Sequence, residues 1–247
     1  MSQASILFEL SNLSCRYGDQ EVLRVEELSL PAVPLTFILG SSGIGKSTLL
    51  EMLGLMSNTY RGRADRFTYQ GAQDLRGFWD WPQSKQAHFR RSNFSFVFQQ
   101  TNLIENFSIL ENLCIPLMIQ GYAYEDAANK VTATAEKMNL DAQLLLRKAT
   151  AVSGGQLQRA AFTRALSTDF KVLFGDEPTG NLDSGNSRTL MGLLKDNLVE
   201  RGASAVVVSH DVALAEEYAD CIIRVKRMGD EDRAYGLIDQ NCLSISQ

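Results

Sequence analysis

The sequence predicts an α/β fold with a mostly parallel central sheet, on three observations. A glycine-rich loop at residues 40–48 lies between an apolar strand pattern at 35–39 and a helical pattern at 49–55. A second apolar strand pattern, at 171–175, leads directly into two carboxylates. Strand and helix patterns then alternate to residue 225, which is typical of parallel sheets covered by helices.

Composition and charge limit the classes of function. The chain has 247 residues, 45% of them hydrophobic and 21% charged, so it can bury a sizeable core. Its net charge of −5 gives no basic character suited to nucleic acid. The four cysteines form no C-x-x-C pair, so we expect no structural zinc site and a reduced cytosolic setting. We expect no signal peptide, because the N-terminal residues lack a basic stretch followed by an apolar one. We expect no membrane channel, because no apolar run approaches the ~18–20 residues that span a bilayer.

The first hundred residues are predicted to contain mainly strands. These lie at residues 6–13, 22–30, 67–69 and 94–98, besides the strand before the glycine loop. The segment 71–91 shows no clear period and is predicted to be loop and irregular helix. Its tryptophans, Trp79 and Trp81, are interpreted as loop aromatics packed under the fold, with a partner surface as the alternative.

Consecutive helices without strands predict a helical insertion in the α/β core. The helices are placed at residues 109–120, 125–138, 140–146 and 153–166. Ser108 and Glu111 form a capping box at the start of the first one, and Pro116 is expected to kink or interrupt it. After the insertion, strands are predicted at 171–175, 203–208 and 221–225, with helices at 188–199 and 212–218 between them.

The glycine loop fits the pattern G-x-x-x-x-G-K-[ST], with Gly40, Gly45, Lys46 and Ser47 in the required places. Small residues let successive backbone N–H groups surround phosphate oxygens, and the following helix adds partial positive charge. Lys46 can reach the β- and γ-phosphates, and the Ser47 hydroxyl can ligate Mg²⁺. The loop therefore predicts a nucleotide-phosphate site, with an incidental glycine-rich turn as the alternative.

Polar side chains follow three of the predicted strands. Asp176 and Glu177 come after 171–175, Gln99 after 94–98, and His210 after 203–208. The carboxyl ends of parallel strands meet at one edge of a sheet, beside the glycine loop. There Asp176 can hold Mg²⁺ through water, Glu177 can polarise the water that attacks the γ-phosphate, and His210 can sense that phosphate.

Residues 152–159, Val-Ser-Gly-Gly-Gln-Leu-Gln-Arg, resemble the signature sequence of ATP-binding cassette (ABC) ATPases. The order of Tyr17, the glycine loop, Gln99, the signature, Asp176-Glu177, Asp183 and His210 agrees with that family, over about residues 8–225. The resemblance implies a P-loop NTPase fold: a RecA-like, mostly parallel core, an antiparallel β-subdomain and an inserted helical subdomain. We expect one domain over 1–247, with a core at 1–99 and 167–235, a helical subdomain at 100–166 and a short tail at 236–247.

The resemblance also implies roles for individual residues. The residues expected to bind ATP are Tyr17, Gly40, Ser41, Ser42, Gly43, Gly45, Lys46, Ser47, Thr48, Gln99, Ser153, Gly154, Gly155, Gln156, Asp176 and Asp183. Tyr17 would stack on adenine, although a solvent-exposed turn tyrosine is the alternative. Ser47, Gln99 and Asp176 would hold Mg²⁺, and Glu177, His210 and Lys46 would be catalytic.

Each motif occurs once, so a complete pair of sites implies a second cassette, in a homodimer or a heterodimer. Two ATP molecules would lie between the glycine loop of one cassette and Ser153, Gly154 and Gln156 of the other. Asp183 would couple the two sites. Val152 stands where the commonest signature has Leu, and Gly175 where a larger residue or Ala is usual; neither change is expected to prevent hydrolysis.

Residues 96–103, 108–117 and 176–183 resemble the bacterial cassettes for lipoprotein release, macrolide export and cell division. The resemblance implies an ATPase on the cytoplasmic face of the cell membrane, touching the membrane only through a separate permease. Leu103, Ile104, Phe107 and Met118 are candidates for the groove that receives a permease helix, with ordinary core packing as the alternative for each.

Two other functions remain as alternatives. An ABC ATPase of DNA repair or chromosome maintenance usually carries a long insertion between glycine loop and signature. The short interval between Lys46 and Gly154 leaves no room for one. A nucleotide-gated regulator without turnover is not expected, because Glu177 and His210 are both present. The transported substrate and the direction of transport stay open.

Overall fold

A computed structural model describes residues 5–60, 63–230 and 234–245. The strands are β1 (Ile6–Tyr17), β2 (Gln20–Pro31), β3 (Leu35–Leu39), β4 (Arg66–Tyr69), β5 (Gln73–Asp74), β6 (Phe94–Phe98), β7 (Val172–Asp176), β8 (Ser204–Val208), β9 (Cys221–Arg224), β10 (Lys226–Met228), β11 (Tyr235–Ile238) and β12 (Leu243–Ile245). The α-helices are α1 (Lys46–Leu53), α2 (Gln83–Asn93), α3 (Ile109–Gln120), α4 (Tyr124–Lys137), α5 (Ala142–Leu145), α6 (Gly154–Ser167), α7 (Ser184–Arg201) and α8 (Val212–Tyr218). None of the helices in these ranges is both long and apolar enough to cross a bilayer.

The chain divides into two compact units, residues 1–90 with 204–247 and residues 91–203. The division predicted from the sequence, with a core at 1–99 and 167–235 and a helical subdomain at 100–166, stays a prediction. In the second unit, α6 packs against both β6 and α7. The α/β fold class is confirmed by the alternation of strands and helices.

The first unit contains a mostly antiparallel sheet built on the N-terminal strand pair, as the sequence predicts. Its strand order is β10-β11-β2-β1-β4-β5, and β1 pairs antiparallel with both β2 and β4. A second set of strands places β3 between β8 and β9, both parallel to it. Every residue of β3 and β8 is buried, which explains why both strands are apolar apart from Thr36 and Ser204.

The predicted short tail at 236–247 contains most of strand β11 and all of β12. Strand β11 pairs antiparallel with β10 and parallel with β2, and β12 pairs antiparallel with β9. Cys242, between them, is buried. These strands are only three or four residues long. Sequences that short contain too little alternation of apolar and polar residues to predict a strand.

The segment around the two tryptophans folds as a short 3-10 turn, Phe78–Asp80, followed by the regular helix α2. The Phe78 ring is fully buried and lies 5.3 Å from the Trp79 ring and 5.0 Å from the Trp81 ring, between centroids. The Lys85 ammonium stands 4.0 Å from the Trp81 ring centroid. These contacts favour the interpretation of packed loop aromatics over a partner surface.

The second unit contains the predicted helices and one strand pair. Strands β6 and β7 are parallel, in a register that runs from Phe94 opposite Val172 to Phe98 opposite Asp176. Helices α3, α4, α5 and α6 enclose a separate apolar core. Pro116 does not interrupt α3, because its neighbours Leu113 and Leu117 are anchored in that core and a proline removes only one N–H donor.

Candidate phosphate-binding site

The predicted site residues are distributed over both units. The first unit carries Tyr17, His210 and the loop residues Gly40, Ser41, Ser42, Gly43, Gly45, Lys46, Ser47 and Thr48. The second unit carries Gln99, Ser153, Gly154, Gly155, Gln156, Asp176, Glu177 and Asp183.

The glycine loop connects β3 to α1, as the sequence predicts, and α1 begins at Lys46. Gly43 and Gly45 have φ values of +72° and +95°, in the region that favours glycine. Ser41, Ser42 and Ser47 are exposed, whereas Ile44 is buried and anchors the loop. The exposed residues thus lie around a helix N-terminus, where backbone N–H groups lack intrahelical partners and attract anions.

The Lys46 side chain stabilises the glycine loop by hydrogen bonds to two of its backbone carbonyl groups. This side chain is 6% exposed, and Nζ donates hydrogen bonds to the carbonyl oxygens of Gly40 at 3.0 Å and Ser41 at 2.9 Å. An ammonium has three N–H donors, so these two bonds leave one for a phosphate oxygen. The lysine therefore fixes the loop and presents its charge at the same place.

The glycine loop lies close to β2, so substitutions at two of its glycines are expected to destabilise the protein by different amounts. A Cβ on Gly45 would lie 2.8 Å from the carbonyl oxygen of Val22, whereas a Cβ on Gly43 would meet nothing within 4 Å. We expect Gly43→Ala to cost about 1–2 kcal/mol from its positive φ alone. Gly45→Ala should cost about 1–3 kcal/mol more, because its methyl group also overpacks against backbone. Urea unfolding measures the loss of stability in each variant. Equal losses would contradict the close contact between Gly45 and the Val22 carbonyl oxygen.

His210 and the glycine loop come together in the first unit. They line a cavity of about 330 Å³, whose other residues include Ser209, Val212 and Arg224. His210 follows β8 and is exposed. Tyr17, the last residue of β1, is 52% exposed, so its ring face is available for stacking.

Gln99, Asp176 and Glu177 come together in the second unit, because β6 and β7 are parallel neighbours. Phe98 pairs with Asp176, so Gln99 and Glu177 are the next residues on adjacent strands. A Cβ on Gly180 would lie 3.1 Å from the Gln99 side-chain nitrogen, which places that amide against the turn after Glu177. Glu177 has φ +45°, a conformation that non-glycine residues rarely adopt and that often marks functional sites.

The signature residues form the predicted helix N-terminus. Ser153 caps α6: its hydroxyl accepts a hydrogen bond from the Gln156 backbone N–H, and the Gln156 side chain accepts one from the Ser153 N–H. This capping box leaves the N–H groups of Gly154 and Gly155 without intrahelical acceptors. Val152 packs against the helical core, so the Leu-to-Val departure is accommodated.

Asp183 also has a structural role, as the N-cap of a helix. Its carboxylate caps α7 by accepting a hydrogen bond from the Asn186 backbone N–H at 2.9 Å. This backbone bond and a side-chain bond from Asn186 hold the pKa of Asp183 below its usual value. The pattern Asp-x-x-Asn before a helical segment could have indicated the cap.

The four groove candidates differ in their surroundings. Leu103 packs against the helical core and lines a cavity of about 480 Å³ together with Gln99, Gln100 and Leu157. Ile104, Phe107 and Met118 are 47%, 41% and 47% exposed. Ordinary core packing therefore describes Leu103 in part but not the other three.

Comparison with protein families gives a match over residues 23–180 to the family described as "ABC transporter". The chain is 35% identical to the lipoprotein-releasing system ATP-binding protein LolD of Pseudoalteromonas translucida, over 86% of this chain and 90% of that protein. It is 36% identical to the macrolide export ATP-binding/permease protein MacB of Hyphomonas neptunium, over 85% of this chain and 32% of that longer protein.

A solved structure extends the likeness to three dimensions. The dimeric post-hydrolysis state of the ATP-binding cassette MJ0796, bound to ADP and Pi, matches with a TM-score of 0.75 and 28% identity. The match covers 89% of this chain and 94% of that one. These relatives agree with the fold and the subgroup predicted from the sequence, and none of them is a DNA-repair ATPase.

Proposed function

This chain belongs to the ABC transporter family as an ATP-hydrolysing cassette, and from that premise we propose that its ATP is shared with a second cassette. One ATP would lie between the glycine loop of one cassette and residues 153–156 of the other. One observation carries this proposal: a single chain has two glycine-flanked, solvent-accessible helix N-termini, those of α1 and α6. Each is suited to a phosphate group, and dimerisation of the related cassette MJ0796 supports the pairing.

The residues of the first unit would bind the nucleotide. Tyr17 would stack on adenine, the loop N–H groups would surround the phosphates, and Lys46 would donate to the β- and γ-phosphates. His210 would donate a hydrogen bond near the γ-phosphate and hold the attacking water in place. Its position in one cavity with Gly40 supports this role.

The donor set of the proposed metal site fits Mg²⁺. A Ser47 hydroxyl, a Gln99 amide oxygen and an Asp176 carboxylate are hard oxygen ligands. Within the described ranges, no group of three or more His, Cys, Asp and Glu side chains could hold a metal by itself. We propose that substrate phosphates would supply the remaining oxygen ligands. When bound, Mg²⁺ would neutralise negative charge on the phosphates.

Glu177 would act as the general base. Its carboxylate would accept a proton from the water that attacks the γ-phosphorus, and the bond to the β-phosphate oxygen would break. The neighbouring Asp176 would help to hold the metal, which would separate the roles of the two carboxylates. The unusual backbone conformation of Glu177 supports a side chain aimed by the protein rather than a solvated turn residue.

We further propose that the cassette works with a separate permease on the cytoplasmic face of the cell membrane. Relatives named for lipoprotein release and macrolide export support an export or mechanotransmission role. Leu103 in the cavity beside Gln99 and the exposed side chains of Ile104, Phe107 and Met118 are the apolar groups that would contact a permease helix.

Cross-linking tests the shared site. We expect Ser42→Cys/Ser153→Cys to form a covalent dimer with a short bifunctional thiol reagent when ATP and Mg²⁺ are present. Each single variant should remain monomeric on a denaturing gel. The native thiols interfere little, because all four are buried and burial raises the pKa of Cys15 and Cys221 to about 11. A nucleotide-independent cross-link, or none, would contradict the head-to-tail arrangement.

A further inference from the structure

One buried side chain connects three of the described segments in the second unit. Gln158 lies in α6, shortly after the signature residues, and is 2% exposed. Its amide nitrogen donates one hydrogen bond to the Phe98 carbonyl oxygen at 3.4 Å and another to the Pro178 carbonyl oxygen. Phe98 directly precedes Gln99, and Pro178 directly follows Glu177. A single amide thus ties α6 to the backbone on both sides of the site.

The chemistry of the side chain matches this position. A glutamine amide has two N–H donors, and each meets one backbone carbonyl. Because the amide is buried, water does not readily replace it, so losing this donor would cost both carbonyl oxygens a hydrogen bond. An apolar residue of the same size would fill the space but release both loops.

A second residue of the same helix holds the other side of the Gln99 loop. The Arg164 guanidinium donates to the carbonyl oxygens of Thr101 at 2.8 Å and Asn102 at 2.9 Å. Burial lowers the pKa of Arg164 below its ordinary value. Asn102 has φ +49°, so its conformation benefits from being held. Gln158 and Arg164 therefore fix the loop before and after Gln99.

The loop and the turn after Glu177 are also joined directly. Asn181 donates from its side-chain nitrogen to the Gln99 carbonyl oxygen at 3.2 Å. The three segments form one hydrogen-bonded body: α6, the Gln99 loop and the turn at 177–181. A displacement of α6 would be transmitted to both of the other segments.

We propose that Gln158 is a positioning residue that makes hydrolysis in one cassette depend on the nucleotide bound at its own α6 N-terminus. This inference rests on the proposed function, in which residues 153–156 contact ATP held by the second cassette. An α-helix rises 1.5 Å per residue, so Gln158 lies only about 8 Å along the axis from Ser153. Contact with the partner's ATP would fix α6, and Gln158 would then fix Gln99 and Glu177 for catalysis.

Gln158→Leu tests the inference, because leucine keeps the approximate volume and removes both donors. We expect kcat for ATP hydrolysis to fall by about tenfold or more, with KM changed less than about twofold. The Hill coefficient for ATP should move towards one. A loss of folded protein alone would lower the apparent activity without changing the Hill coefficient.

Gln120→Leu is the matched control. The Gln120 side chain also donates to two backbone carbonyl oxygens, those of Arg91 and Asp169, each at 3.1 Å. Both are outside the predicted site, so this variant should keep the wild-type kcat and Hill coefficient. The inference is wrong if Gln158→Leu retains both wild-type parameters, or if Gln120→Leu changes them equally.

Two further measurements cover the cases in which Gln158→Leu does not fold or the shared ATP site itself does not exist. If Gln158→Leu does not fold, Arg164→Lys replaces it, since lysine keeps the charge but cannot reproduce the two-carbonyl geometry. Arg164→Lys should lower both kcat and the Hill coefficient for ATP, as expected for Gln158→Leu. Unchanged values of kcat and the Hill coefficient would overturn the inference. The Ser42/Ser153 cross-link should still form in the Gln158→Leu background. A cross-link that fails even with Gln158 intact contradicts the shared site itself, whereas a cross-link with normal kinetics in Gln158→Leu contradicts only the positioning role.

Discussion

Replacing Glu177 with glutamine is expected to lower steady-state phosphate release by about 10²–10⁴-fold, the contribution of a positioned general base. Glutamine keeps the size of the side chain and can occupy the same backbone conformation at φ +45°. It cannot accept the proton of the attacking water. ATP binding should be retained, because the residues proposed to hold the phosphates belong to other segments.

The measurement is phosphate release at saturating ATP, together with ATP affinity by calorimetry. Glu136→Gln, an exposed substitution in α4, removes one carboxylate of the same kind and should leave the rate unchanged. The Glu177→Gln protein should also remain dimeric with ATP in light scattering, because hydrolysis no longer opens the shared site. A normal rate of phosphate release would remove Glu177 from the role of base.

The sequence was sufficient for the features that depend on local chemistry. Buried parallel strands read as mostly apolar runs, as β3 and β8 do, and the strand-end rule correctly placed Gln99 next to Glu177. The glycine loop and the capped signature helix follow from residue types at fixed spacing. In each case the deciding interactions join residues that are close in the chain or on adjacent strands.

Features that depend on distant backbone partners were not predictable. Strand β11 pairs with β2, more than two hundred residues earlier, and nothing in the four residues of β11 indicates that partner. Helix α2 was expected to be irregular because its mostly polar sequence has little apolar periodicity. Gln158 was not singled out for a similar reason: its partners are main-chain carbonyls, which every residue has and no side-chain pattern displays.

The largest expected effect on binding concerns Lys46. In Lys46→Met the methionine keeps an unbranched apolar stem but removes the ammonium that holds the Gly40 and Ser41 carbonyl oxygens. A hydrogen bond to a charged group contributes about 1.5–3 kcal/mol, and tenfold in affinity corresponds to about 1.4 kcal/mol. Loss of the phosphate contact and of the loop brace together should weaken ATP binding by about 10²-fold or more.

Calorimetry with ATP and Mg²⁺ measures this loss, and the rise in melting temperature on adding ATP provides an independent readout. Lys85→Met is the matched control in the same unit, since it removes an exposed ammonium that contacts only the Trp81 ring among its described partners. It should bind ATP like the unmodified protein. The two variants should differ in the step that they lose. Glu177→Gln should bind ATP without hydrolysing it, whereas Lys46→Met should bind ATP weakly. Wild-type affinity in Lys46→Met would mean that backbone N–H groups alone hold the phosphates, and that Lys46 serves only to shape the loop.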